Sequence, residues 1–161
     1  MIKKQLTILF VDDEKEIRNA MYNALAPAVS KVYVASDGKE AKEIFDTHKI
    51  DVLISDINMP GTNGVELIES IRKETALLPI VVATGHSEMS VIYKNIYNIY
   101  VVLKPYDVET IIEIIEEAEY EIVTRSKCLD SIEKLESVKN DALSLLEEIR
   151  GSKCDIKEKD E

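Results

Sequence analysis

The chain has 161 residues, of which 45% are hydrophobic and 32% charged, and its formal net charge is −11. That length allows one domain of ordinary size with an appendage and leaves no room for a second enzymatic core. The acidity is uneven: residues 1–105 carry a net −2 and residues 106–161 a net −9, so the C-terminal third repels phosphate backbones and anionic lipid, which argues against nucleic-acid or membrane binding and favours a protein partner.

No apolar leader precedes the first apolar run, and no stretch is long enough to span a bilayer, so a cytoplasmic protein is expected. Cys128 and Cys154 lack metal-ligand spacing and read as incidental.

Apolar, strand-like runs fall at residues 6–11, 32–35, 51–55, 80–83 and 99–103. Helix-like segments separate them at about residues 15–26, 38–48, 65–74 and 88–95. The first carries Ile17, Ala20, Met21, Ala24 and Leu25 at helical spacing, and Pro27 helps to end it. This alternation predicts a parallel sheet covered by helices on both faces, occupying residues 1–120.

After Lys104-Pro105 the pattern changes. Asp107 is a candidate N-cap, and neither Gly nor Pro occurs from Val108 to Arg150, which predicts one helix on the order of 65 Å long. The sheet cannot cover such a length, so the distal part should project. Ile111, Ile115, Ala118, Ile122, Arg125, Leu129 and Ile132 follow alternating four- and three-residue steps, as do Leu135, Val138, Ala142, Leu145 and Ile149. Between Ile132 and Leu135 the step is three where four is due. An imperfect coiled coil over residues 121–150, joining two copies of the chain, is expected in preference to a hairpin folded back on the domain. Residues 151–161 read as a frayed polar tail.

Four of the five apolar runs end in a polar group suited to phosphoryl chemistry: Asp12-Asp13, Asp56, Thr84 and Lys104. In open parallel sheets, ligands bind at the carboxyl ends of the strands, at the switch in strand order. Two carboxylates about 4 Å apart repel by roughly 4 kcal/mol at an effective dielectric near 20, so three together need a cation. Oxygen-only ligands select Mg²⁺ or Mn²⁺ over zinc. A carboxylate held there can attack phosphorus to give an acyl phosphate, with Lys104 and Thr84 meeting the phosphoryl oxygens. Taken singly, each residue has a blander reading: acidic pairs cap helices, Thr84 could cap the helix after it, and Lys104 could be a surface charge. Their joint placement at strand ends outweighs these. His86 reads as a loop residue, His48 as a helix C-terminal one, and Tyr93, Tyr97, Tyr100 and Tyr106 as packing residues.

The segments Val11-Asp12-Asp13-Glu14, Asp56-Ile57-Asn58-Met59-Pro60-Gly61, Ala83-Thr84-Gly85-His86 and Lys104-Pro105 together resemble the receiver domain of two-component response regulators, over roughly residues 5–120. The resemblance implies a flavodoxin-like, doubly wound five-stranded parallel sheet of order 2-1-3-4-5. It makes Asp56 the phosphoacceptor, Asp13 a direct metal ligand and Asp12 a ligand acting through water, with the Asn58 carbonyl completing the protein's share of the shell. It implies a cis peptide at Lys104-Pro105, and a sensor histidine kinase or histidine phosphotransfer protein as partner. Two departures stand out. The family's usual switch aromatic, three positions before the lysine, is here Val101, and the stretch from Thr84 to Lys104 is shorter than usual.

Three other readings are weaker. A phosphohydrolase of the haloacid-dehalogenase type needs a general acid two positions after the nucleophile, where Asn58 stands. A degenerate scaffold is disfavoured by the intact acidic set, and a flavin module by the lack of a phosphate loop after the first strand. Output is expected through dimerisation or protein contacts, or through an effector domain following the long helix in a longer regulator.

Overall fold

The computed structural model describes residues 4–59, 64–93 and 96–154. Five strands, β1 (Lys4–Val11), β2 (Val29–Ala35), β3 (Val52–Asp56), β4 (Ile80–Thr84) and β5 (Ile99–Leu103), alternate with α1 (Lys15–Leu25), α2 (Gly38–Thr47), α3 (Gly64–Glu74), α4 (Ser87–Tyr93) and α5 (Val108–Cys154). All strand pairs are parallel, and the order is β2-β1-β3-β4-β5, the flavodoxin-like arrangement the sequence implied. Every residue of β3 and β4 is buried, as expected of central parallel strands with both faces covered.

The edge strand β2 begins three residues before the apolar run suggested. Ser30 and Lys31 interrupt the apolar pattern because they are exposed, yet the backbone still pairs, with Lys4 opposite Val29. At β3 the boundary moves the other way. Asp51 stays outside the strand and accepts the Thr7 N–H on its Oδ2 at 2.9 Å, while Asp56 is the last strand residue.

Local chemistry sets the helix ends. The Asp37 carboxylate accepts the Lys39 and Glu40 N–H groups at 2.8 and 2.9 Å and so caps α2. At α1 the Ala26 N–H still bonds to the Tyr22 carbonyl before Pro27 ends the run. Asp107 caps α5 through the Thr110 N–H at 2.8 Å. Hydrogen bonds from the Thr110 hydroxyl and N–H hold its carboxyl below the usual carboxylate range.

Side-chain bonds to backbone carbonyls fix the approach to β5. Asn98 adopts the left-handed conformation (φ 57°), which asparagine tolerates better than most side chains. Its side-chain amide donates to the Leu77 carbonyl at 2.8 Å. The Arg72 guanidinium, on α3, donates to the carbonyls of Leu78 and Asn98 at 2.6 and 2.9 Å. One α3 side chain therefore ties together the loops entering β4 and β5.

The chain divides into two units, Met1–Glu119 and Tyr120–Glu161. In the first, Ile111, Ile115 and Ala118 of α5 are buried, and Lys4 of β1 forms ion pairs with Glu116 and Glu119. In the second, residues 126–150 are all exposed. The helix does not stop at Gly151 but continues to Cys154, because one glycine costs a helix interior only about 1 kcal/mol. The expected polar tail is shortened accordingly, and its residues 155–161 lie outside the described residues.

Backbone approaches closely at Gly64, the first residue of α3. A Cβ there would lie 2.1 Å from the Asp56 carbonyl oxygen and 2.8 Å from the Ile57 Cα. Both neighbours are backbone, so neither can give way. Gly64→Ala is therefore expected to lower unfolding stability by roughly 1–3 kcal/mol, as overpacking does, and to displace the turn after Asp56. Urea denaturation measures the first effect, and loss of dispersion at the Asn58 amide in NMR spectra the second.

Candidate active site

Strand register brings the acidic residues together. Val11 pairs with Ser55 across β1 and β3, so Asp12 and Asp56 leave neighbouring strands side by side at the switch in strand order. Asp12, Asp13 and Asp56 each offer one carboxylate oxygen, and these atoms lie within 4.8 Å of one another. Asp12 is fully buried and Asp56 nearly so, while Asp13 is exposed. One wet and two buried hard-oxygen donors fit a small divalent cation such as Mg²⁺ or Mn²⁺, which keeps several waters.

Lys104 follows β5, two strands from β3. Adjacent strands stand about 4.8 Å apart, so a group from β5 must cross about 10 Å, and a long flexible side chain does so. Its backbone N–H bonds to the Thr84 carbonyl at 2.9 Å, and the Lys104-Pro105 peptide is cis. The ammonium Nζ lies 2.6 Å from Asp56 Oδ2 and 3.2 Å from Asp12 Oδ2. Burial works to lower the lysine pKa, but hydrogen bonding and charge from Asp56 and Asp12 together outweigh it and raise it far above the ordinary value. A raised folded-state pKa means that the pairing is fully present below the ordinary lysine value and is lost only as pH climbs past the folded one. The ammonium is therefore charged across the physiological range.

The other Asp56 oxygen, Oδ1, accepts the Asn58 N–H at 2.9 Å, which turns the loop after β3 back over the carboxylate. Asn58 is exposed, and Pro60 and Gly61 of the same motif lie outside the described residues. Thr84 is fully buried at the end of β4, and its hydroxyl accepts the His86 N–H at 3.1 Å, which closes the turn between β4 and α4, since His86 still lies before the helix. Val101 packs half-buried against the core.

Two contributors were not singled out from the sequence, and a third was read only as packing. Arg18, on the first turns of α1, donates from Nη1 to the carbonyls of Asp12 and Asp13 at 2.7 and 2.8 Å and fixes the acidic pair's backbone. Its place five and six residues after that pair, on the returning helix, was the available signal. Gly64 carried no signal beyond being a glycine near a helix start. Tyr106, read as packing, has its hydroxyl buried without a partner among the described residues. Burial pushes its pKa up, with a lesser pull downward from Lys104.

Comparisons with known proteins agree with this geometry. A family profile described as the response regulator receiver domain matches residues 8–116. The probable transcriptional regulator ycf27 of Cyanidium caldarium is 40% identical over 83 residues, covering 52% of this chain and 33% of that protein. The DNA-binding transcriptional regulator NtrC of Escherichia coli is 32% identical over 112 residues, covering 67% of this chain and 24% of NtrC. The chain thus spans only about a quarter to a third of the length of these relatives. Among solved structures, the response regulator TrrA of Thermotoga maritima, in complex with Mg²⁺ and BeF, superimposes with a TM-score of 0.62 at 28% identity, covering 73% of this chain and 99% of that one. With its sheet order, its paired acidic residues and its bridging lysine, this chain belongs to the response regulator receiver domain family.

Proposed function

We propose that Asp56 accepts a phosphoryl group from a sensor histidine kinase or a histidine phosphotransfer protein, and that the phosphorylated chain signals through dimerisation or protein contacts. The observation that carries this reading is the placement of Asp56: a nearly buried carboxylate whose two oxygens are oriented by the Asn58 N–H and the Lys104 ammonium. Both contacts restrain the nucleophile before a donor arrives. An Asp56 oxygen forms the new P–O bond as the P–N bond of phosphohistidine breaks, and the leaving imidazole takes up a proton. Lys104, already charged, follows the phosphoryl oxygens, and the Thr84 hydroxyl, whose oxygen accepts the His86 N–H, donates its own proton to one of them.

Asp12, Asp13, Asp56 and the Asn58 carbonyl would hold Mg²⁺ or Mn²⁺, which when bound offsets the charge of the carboxylates and of the incoming phosphoryl group. TrrA, solved with Mg²⁺ and BeF, supports the choice of ion. In this reading the chain is a switch and not an enzyme acting on other substrates, since Asn58 cannot supply the proton a phosphohydrolase needs at that position. We place it in the cytoplasm, acting without direct contact with membrane or nucleic acid. Among the described residues no helix is long and apolar enough to cross a membrane. Residues 1–120 act as the receiver and residues 121–150 as a coiled coil through which two copies associate. The greater length of ycf27 and NtrC supports a second reading, in which α5 leads to an effector domain of a longer regulator.

Incubation with acetyl phosphate and Mg²⁺ is expected to add one phosphate, with the alkaline lability of an acyl phosphate, to the native chain and none to Asp56→Ala. Labelling that persists in the variant overturns the assignment of the phosphoacceptor.

Metal affinity, measured by Mg²⁺ titration, is expected to fall more in Asp13→Ala than in Asp12→Ala, because Asp13 is read as the direct ligand. Lys104→Ala is expected to bind Mg²⁺ as tightly or more tightly, since losing the ammonium leaves the carboxylates without their internal cation. Equal losses in the two aspartate variants would remove the division of roles.

Val101 is too small and too stiff at χ1 to make the excursion of an aromatic ring, so coupling is expected to run through residues 85–99 and the start of α5. Hydrogen exchange with and without beryllofluoride should change in both segments. Changes confined to the loops holding Asp13 and Asp56 would make the long helix a constitutive dimeriser.

A further inference from the structure

In the second unit α5 presents a continuous apolar stripe to solvent. Leu135, Val138, Leu145 and Ile149 are each more than half exposed. With Ala142 they fall on alternating three- and four-residue steps, which sets the a and d positions of a heptad repeat. One heptad before Leu135 the a position is Cys128, also exposed and small enough to sit in a seam. In this frame Ile132 flanks the seam at an e position, and Leu129, at b, lies farther out.

The charges flanking the stripe decide how a second copy can lie on it. In a parallel, in-register pair the residue just before an a position faces the residue five further on in the partner. Lys134 would then face the partner's Lys139, twice per dimer, and Asp141 the partner's apolar Leu146. In an antiparallel pair, Leu135 can be set against the partner's Val138. Lys134 then lies beside the partner's Asp141 and Lys127 beside the partner's Glu148. Each contact occurs twice, and none of these flanking positions meets a like charge. About this centre Ala142 lies opposite the partner's Ser131, Leu145 opposite the partner's Cys128 and Ile149 opposite the partner's Thr124, so residues 124–149 of each copy supply both halves of a twofold contact.

We propose that the distal part of α5 docks on a second copy of itself in antiparallel orientation, with Leu135 of one protomer against Val138 of its partner. This orientation rests on the dimer reading given above. The two Cys128 residues are then separated by the span from residue 128 to residue 145, about 25 Å along the helix axis. In the parallel alternative they face each other.

Light scattering and sedimentation on the full chain, with Lys134→Glu beside it, test the orientation. Antiparallel docking expects Lys134→Glu to weaken dimerisation roughly tenfold, because two attractive pairs become repulsive. Parallel docking expects tighter association, because the new carboxylate meets the partner's Lys139. In a Cys154→Ser background, mild oxidation of the dimer should give no disulfide between the two Cys128 residues. Rapid cross-linking there, or a Lys134→Glu dimer as tight as the native one or tighter, overturns the antiparallel arrangement while leaving dimerisation intact. A native chain that stays monomeric overturns the dimer reading itself.

Discussion

The fold is organised around one electrostatic problem: two carboxylates, Asp12 and Asp56, are buried side by side at the carboxyl edge of the sheet. Burying even one ionised carboxylate without a partner is costly, and pairing it well requires a cation with good geometry and satisfied neighbours. Lys104 supplies that cation from two strands away, touching both carboxylates at once. The remaining acceptors are met by the backbone: Asp12 Oδ1 accepts the Glu14 N–H and Asp56 Oδ1 the Asn58 N–H. One ammonium against three acidic groups still leaves an excess of negative charge. On the proposed reading, that excess draws a divalent cation to the site, and an incoming phosphoryl group then needs both cations.

The scaffold can be read as the set of constraints that keep these groups in place. Strand register sets Asp12 against Asp56, and Arg18 holds the carbonyls of Asp12 and Asp13. Gly64 lets α3 approach the backbone of Asp56 within a distance no other residue allows. Arg72 and Asn98 fix the loops that deliver β4 and β5, and so the height at which Thr84 and Lys104 leave the sheet. On the proposed reading, none of these scaffold groups needs to touch a phosphoryl group to matter for its transfer.

How much of this could be read from residues alone follows from the range of the interactions. The strands and the acidic cluster were legible because central parallel strands are apolar throughout and the polar group ending each one stands out against that run. The α5 cap was legible because capping is local, Asp107 lying three residues before Thr110. The start of β2 was not, because an edge strand exposes residues such as Ser30 and Lys31, and only its partner β1 determines where it begins. Arg18, Gly64 and Arg72 were missed for the same reason. Each acts on backbone that comes close only after folding, and a carbonyl acceptor leaves no trace in side-chain chemistry. The extension of α5 past Gly151 shows the opposite error, a local signal too weak to end a helix already established.

The remaining constraint concerns how occupancy of the site could be felt at the helix. Lys104 is separated from the Asp107 cap by only Pro105 and Tyr106, and the Tyr106 hydroxyl is buried without a partner among the described residues. On the proposed reading, a phosphoryl group on Asp56 moves the negative charge that Lys104 follows, and with it the field in which the Tyr106 hydroxyl sits. A hydroxyl already bonded in one arrangement would oppose such a change. An unsatisfied one favours whatever rearrangement gives it a partner. Transmission requires that difference in free energy between two arrangements. In a chain where Val101 occupies the usual aromatic position, the turn from Lys104 to Asp107 is the shortest covalent path by which it can reach α5.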